Sequence, residues 1–125
     1  MTVYVETEFL LSLVNSRDVH AEAAEAALEE YDVLTSPLSY LDLFVAVDRT
    51  EVDAVRLVAH LLELVPVAST EDEQIVLKAA NYYDEGMSPF AAFHAATAET
   101  YQVPVLSSNE GHDTLGPSRL ALGVE

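Results

Sequence analysis

Apolar positions along the chain change rhythm repeatedly, from short unbroken runs to longer stretches in which they recur every three or four places. Runs of the first kind suit strands, and stretches of the second kind suit amphipathic helices. Val3-Tyr4-Val5 and Asp32-Val33-Leu34-Thr35 read as strands. Val103, Val105 and Leu106, broken only by Pro104, form a run whose length suits a strand covered on both faces. Val65 to Ala68 reads as a further strand, placed at an edge or a strand start by Pro66, and Arg119 to Leu122 as a last one. Between them lie a short helix carrying Phe9, Leu10, Leu13 and Val14, and an alanine-rich one over 17–31 with a face of Ala23, Ala24, Ala27 and Leu28. Ser36-Pro37 and Ser88-Pro89 each combine an N-cap residue with proline at the first helical position. Leu38, Leu41, Phe44 and Val45, with Asp48 at its far end, trace the helix after the first of these. Phe90, Phe93, Thr97 and Tyr101 form one packing stripe on the helix after the second. Thr50 with Asp53, and Thr70 with Glu73, resemble capping boxes that open helices over 51–64 and 71–85. Strands alternating with one or two helices imply parallel pairing. The expected architecture is a single α/β domain over residues 1–125, a three-layer α/β/α sandwich with a central, mainly parallel sheet.

Composition adds one unusual property. The 125 residues include 22 acidic and 5 basic ones, for a formal net charge of −17, and Lys78 is the only lysine. A surface so charged repels itself until salt shortens the Debye length, to ~3 Å near 1 M, so a salt-rich cytoplasm is the expected setting. The chain has no cysteine, which excludes disulfides and thiolate metal sites. The N-terminal stretch MTVYVETEF lacks the basic region and apolar run of a signal peptide, and nothing in the sequence is long and apolar enough to span a membrane. A cytoplasmic protein without a membrane partner is expected. The basic residues, Arg17, Arg49, Arg56, Lys78 and Arg119, are scattered and form no patch.

Position distinguishes some of the acids from a general acidic surface. Glu6 and Glu8 follow the first strand, Asp42 lies inside a helix, and Ser107, Ser108, Asn109, Glu110 and Asp113 follow Leu106. The crevice outside the carboxyl ends of parallel strands is where ligands bind in open α/β sheets. In this arrangement the chain resembles the PIN-domain family, which includes the VapC-type toxin ribonucleases. VYVETEFLLSLV resembles the family's opening strand and motif, TSPLSYLDLFVAVDR its second acidic segment, MSPFAAFHAATA its third and VLSSNEGHDTLG its fourth. The resemblance implies carboxylates that bind Mg²⁺ or Mn²⁺ and position water for attack on an RNA phosphodiester. It also implies a small antitoxin protein as partner and a homodimer. Such ions prefer oxygen ligands.

Carried over by position, the acids fall on Glu6, Asp42, Ala91 and Asn109, with Asp113 as a further acid beyond the fourth. The first is glutamate where the family has aspartate, the third has no ligand atom, and the fourth keeps a carbonyl without a charge. Two lost charges weaken the hold on a dication. Glu8 and Glu110 are the nearby acids able to compensate. His94, one turn beyond Ala91, faces the expected pocket, whereas His20, His60 and His112 lack zinc-site spacing. Tyr82, Tyr83 and Tyr101 read as packing or interface residues, and Arg49, at the end of the helix that carries Asp42, is the first basic residue to test if RNA binds. Two functions follow: a metal-dependent endoribonuclease with an altered site, or a relative that has lost catalysis and serves as a binding or assembly module.

Overall fold

In the computed structural model the described residues are 1–47, 50–107, 112 and 116–122. In chain order the elements are β1 (Thr2–Tyr4), α1 (Thr7–Val14), α2 (Ala21–Glu30), β2 (Asp32–Leu34), α3 (Pro37–Ala46), α4 (Ala54–Leu64), α5 (Thr70–Asp84), α6 (Pro89–Thr100), β3 (Val105–Ser107) and β4 (Arg119–Ala121). The fold is an α/β sandwich with parallel pairing, as the alternation implies. β1 pairs with β2 in the register Thr2↔Asp32, Val3↔Val33 and Tyr4↔Leu34. β3 pairs with β4.

Among the described residues the parallel pairing falls into two two-stranded sheets. Two expectations about individual strands need correction. The strand expected over 65–68 is reduced to a parallel bridge between Thr35 and Val67, supported by the Thr35 amide donating to the Pro66 carbonyl at 2.9 Å. β3 is not covered on both faces: Leu106 is 61 % exposed. The helix that packs against β3 is α6, and the adjoining β4 is itself largely exposed.

Helix starts follow local chemistry, with shifts. Ser69, not Thr70, caps α5 by accepting from the Asp72 amide at 3.1 Å. Asp53 is itself the cap of α4, accepting from the Arg56 amide, so that helix opens three residues later than expected. At the end of α5, Gly86 has a φ of +117°, the left-handed conformation that glycine adopts without penalty. The Gly86 amide donates to the Tyr83 carbonyl and the Met87 amide to the Tyr82 carbonyl, a Schellman ending that turns the chain directly into α6.

The core lies between helices. α5 packs on both α4 and α6, while α3 packs on α1, α5 and α6. α3 buries Tyr40, Leu43 and Phe44 and leaves Leu38 and Val45 outside, so its core stripe differs from the one read by spacing. The Phe44 ring stacks on Tyr83 at 4.8 Å and meets the Phe93 edge at 5.5 Å. The Tyr40 hydroxyl donates to the Val65 carbonyl at 2.8 Å, and burial pushes its phenol well above the usual range. α6 likewise faces inward with Ala91, Ala92, Phe93, Ala95 and Ala96. Phe90 and Tyr101, expected in its packing stripe, are 58 % and 59 % exposed. The reason is steric: alanines occupy most of the inward positions of α6, and these small residues let it approach the alanines of α5 closely.

Candidate active site

β1 and β2 run parallel, so their carboxyl ends lie side by side, and the chain leaves both there into helices. Alternation along β1 directs Val3 and Val5 toward the core and leaves Tyr4 and Glu6 exposed. Glu6 is the N-cap of α1, yet its side chain makes no capping hydrogen bond. Its carboxylate is therefore not committed to the helix.

The next residue joins the two acidic segments. The Thr7 hydroxyl lies 3.2 Å from the Ser39 carbonyl and 3.4 Å from Asp42 Oδ2, donating toward both. Thr7 thus fixes the start of α1 against α3 and holds the Asp42 carboxylate on the exposed side of α3. Beneath it, the buried Thr35 hydroxyl donates to the Val5 carbonyl at 2.7 Å and locks β1 to the segment after β2. Beside it, Tyr4 Oη and Ser36 Oγ lie 2.9 Å apart. Hydrogen bonding by Ser36, then by Ser39 and Thr35, holds the Tyr4 phenol below its usual range against burial and the Glu6 charge.

Glu6 also borders a cleft of about 330 Å³ between α1 and α2. Glu8, Phe9, Ser12, His20 and Ala24 are among its walls. Glu8 and His20 approach to 3.9 Å across it, both well exposed. Ser12 donates to the Glu8 carbonyl at 2.9 Å and toward Asp18 Oδ1 at 3.3 Å, and Asp18 also accepts from the His20 amide. Glu8 therefore faces α2, away from the link between Thr7 and Asp42.

The other expected residues have different positions. Ala91 is 8 % exposed and sits in the first turn of α6, its amide donating to the Ser88 hydroxyl at 3.3 Å. His94 does not join Glu6: it lines a separate cavity of about 460 Å³ between α6 and β3, together with Thr97 and the buried His112. Asn109, Glu110, Asp113, Asp48 and Arg49 lie outside the described residues.

A model of the PIN-domain family matches residues 3–116. The chain belongs to the PIN-domain family. No curated protein and no solved structure matched it. PIN domains are nuclease-like, generally bind divalent metal ions and commonly act on RNA. The match embraces every segment on which the resemblance rested, from β1 to the stretch after β3.

The donor chemistry of this PIN domain fits a hard dication in kind, since the exposed groups at the strand ends are carboxylate and hydroxyl oxygens. Among the described residues, no group of three or more histidine, aspartate or glutamate side chains is gathered closely enough to hold one. Glu6 and Asp42 are the described members of the set. No helix among the described residues is long and apolar enough to cross a membrane.

Two participants were not singled out in the sequence. Thr7 stands within the opening motif, but its bond to Asp42 spans 35 residues. Tyr4 alternates with valines and reads as strand filler until its hydroxyl is seen on Ser36.

Proposed function

We propose that this PIN domain is a metal-dependent endoribonuclease of the toxin type with a reduced acidic site, held in check by a small antitoxin protein. The observation that carries the reading is the Thr7 hydroxyl shared between Ser39 and Asp42, which supports a meeting of the first two acidic segments at the carboxyl ends of β1 and β2. Glu6, Asp42 and Asp113 are the residues that would hold Mg²⁺ or Mn²⁺, with Asn109 offering a carbonyl. Such an ion, when bound, supplies charge stabilisation for the phosphodiester and an activated water. Thr7 lies within hydrogen-bonding distance of the Asp42 carboxylate, and Glu6, free of capping duty at the end of β1, would have to turn toward it for the two to share an ion.

A second reading has its own observation. Ala91 occupies the third acidic position as a buried methyl group, which favours a PIN domain that keeps the fold for binding or assembly and has lost cleavage. The two readings separate in one experiment: RNA cleavage and Mn²⁺ calorimetry in molar KCl for wild type, Asp42→Ala and the double variant Ala91→Asp, Asn109→Asp. Cleavage by the wild type that is lost in Asp42→Ala is the expected result. Activity confined to the double variant would establish the binding-module reading.

The surroundings complete the proposal. A homodimer would draw on the apolar surface of α3 or α4, where Leu38, Val45 and Val55 are 62 %, 57 % and 38 % exposed, and a monomer by light scattering at high salt would reject it. The net charge of −17 supports a salt-rich cytoplasm. Thermal stability then rises with added KCl, and an unchanged melting point would count against that setting.

A further inference from the structure

We propose that Tyr4 is the platform on which a single-stranded RNA substrate stacks a base beside the acidic pair, with Ser36 holding the ring in place. This rests on the nuclease reading above and adds a substrate-positioning residue to it.

The first observation is placement. Tyr4 and Glu6 share the exposed side of the β1 segment, while Val3 and Val5 pack inward. Tyr4 is 56 % exposed, so a large aromatic side chain remains in solvent two residues before the first acid.

A comparison of serine caps within the molecule supplies the second. Ser69 and Ser88 each accept from a backbone amide of the helix they open. Ser36 opens α3 in the same extended conformation, but its side chain caps nothing and pairs with the Tyr4 hydroxyl. Caps of this kind ordinarily stabilise a helix start, and here that interaction is replaced by one that tethers an exposed ring. The tether reaches the residue that opens α3, the helix whose Ser39 carbonyl and Asp42 carboxylate receive the Thr7 hydroxyl, so the ring and the Thr7 link join the same two segments.

Electrostatics explains why such a platform matters in this chain. Proteins usually grip RNA with several lysines and arginines and gain from counterion release. Five basic residues against 22 acidic ones give this protein little of that term, and high salt removes more of it. Stacking of a base on an aromatic face does not depend on net charge and tolerates any base.

The test is steady-state cleavage of a mixed-sequence single-stranded oligoribonucleotide with Mn²⁺ in molar KCl, comparing wild type with Tyr4→Phe, Tyr4→Ala and Tyr101→Ala. Tyr4→Ala is expected to raise KM about tenfold or more, Tyr4→Phe, which keeps the ring but loses the Ser36 tether, by a smaller factor of about threefold, and Tyr101→Ala by less than about twofold. A Tyr4→Ala variant with wild-type KM would overturn the assignment while leaving the nuclease reading intact. Equal rises in Tyr4→Ala and Tyr101→Ala would also overturn it. Because the chain contains no tryptophan, Tyr4→Trp adds a single reporter and retains an aromatic face. Its fluorescence should be quenched over the concentration range set by KM, and absence of quenching in an actively cleaving variant would sink the proposal without reference to how Tyr4→Ala folds. A wild type that neither cleaves nor binds the oligonucleotide would remove the nuclease reading and this inference together.

Discussion

The α5–α6 pair and the carboxyl ends of β1 and β2 are built on opposite principles. Between the helices, Ala79, Ala80, Ala92, Ala95 and Ala96 are all fully buried, and their small side chains permit close contact without polar partners. At the strand ends, Tyr4, Thr7, Thr35, Ser36 and Asp42 are tied by hydrogen bonds, with Tyr4 and Asp42 left exposed. The chain thus separates the residues that hold it together from those available for chemistry. α3 joins the two regions, since Tyr40, Leu43 and Phe44 enter the core from the same helix that carries Asp42 outside.

The two faces of α3 differ most in what their loss should cost. Phe44→Ala removes a ring that is 1 % exposed and contacts both Tyr83 and Phe93. It should cost about 3–5 kcal/mol in denaturant unfolding. Asp42→Ala should change stability by less than about 0.5 kcal/mol while abolishing any cleavage. Similar losses of stability from the two variants would mean that the acidic end is structural after all.

A smaller effect separates the serine caps. Ser69→Ala deletes a cap hydrogen bond and should destabilise the fold by about 1 kcal/mol. Ser36→Ala, whose hydroxyl does not cap, should cost less than about half of that. It should instead raise the Tyr4 phenol toward its ordinary range, as followed by ultraviolet titration against Tyr4→Phe. A full capping loss in Ser36→Ala would show that the serine serves the helix.

The smallest effect is confined to alkaline pH and to the α5–α6 side. The Tyr82 hydroxyl donates to Glu99, and burial, followed by the Glu99 hydrogen bond and charge, raises its phenol from 10 to about 12. The folded protein holds this proton more tightly than the unfolded chain does. Its contribution is therefore complete below about pH 10 and is lost as pH rises toward about 12. Melting curves of wild type and Tyr82→Phe across that range should differ in slope, with the variant flatter. Parallel curves would remove the linkage.

Much of this was readable without coordinates because it depends on neighbours in the chain. The order of strands and helices, the Ser36-Pro37 and Ser88-Pro89 starts and the PIN-domain pattern all rest on local spacing and residue type. Such features need no knowledge of what packs against them. Tertiary packing decided the rest. It turned the alanines of α6 inward and left Phe90 and Tyr101 outside, a choice that period cannot reveal where alanines and phenylalanines stand on several sides of one helix. It placed His94 in a different cavity from Glu6, and joined Thr7 to Asp42 and Tyr4 to Ser36 across more than 30 residues. Sequence determined which residues can form strands, caps and oxygen donors. Only the packing of α1 and α3 on the ends of β1 and β2 decided which of them meet, because a hydroxyl finds its partner through space and not along the chain.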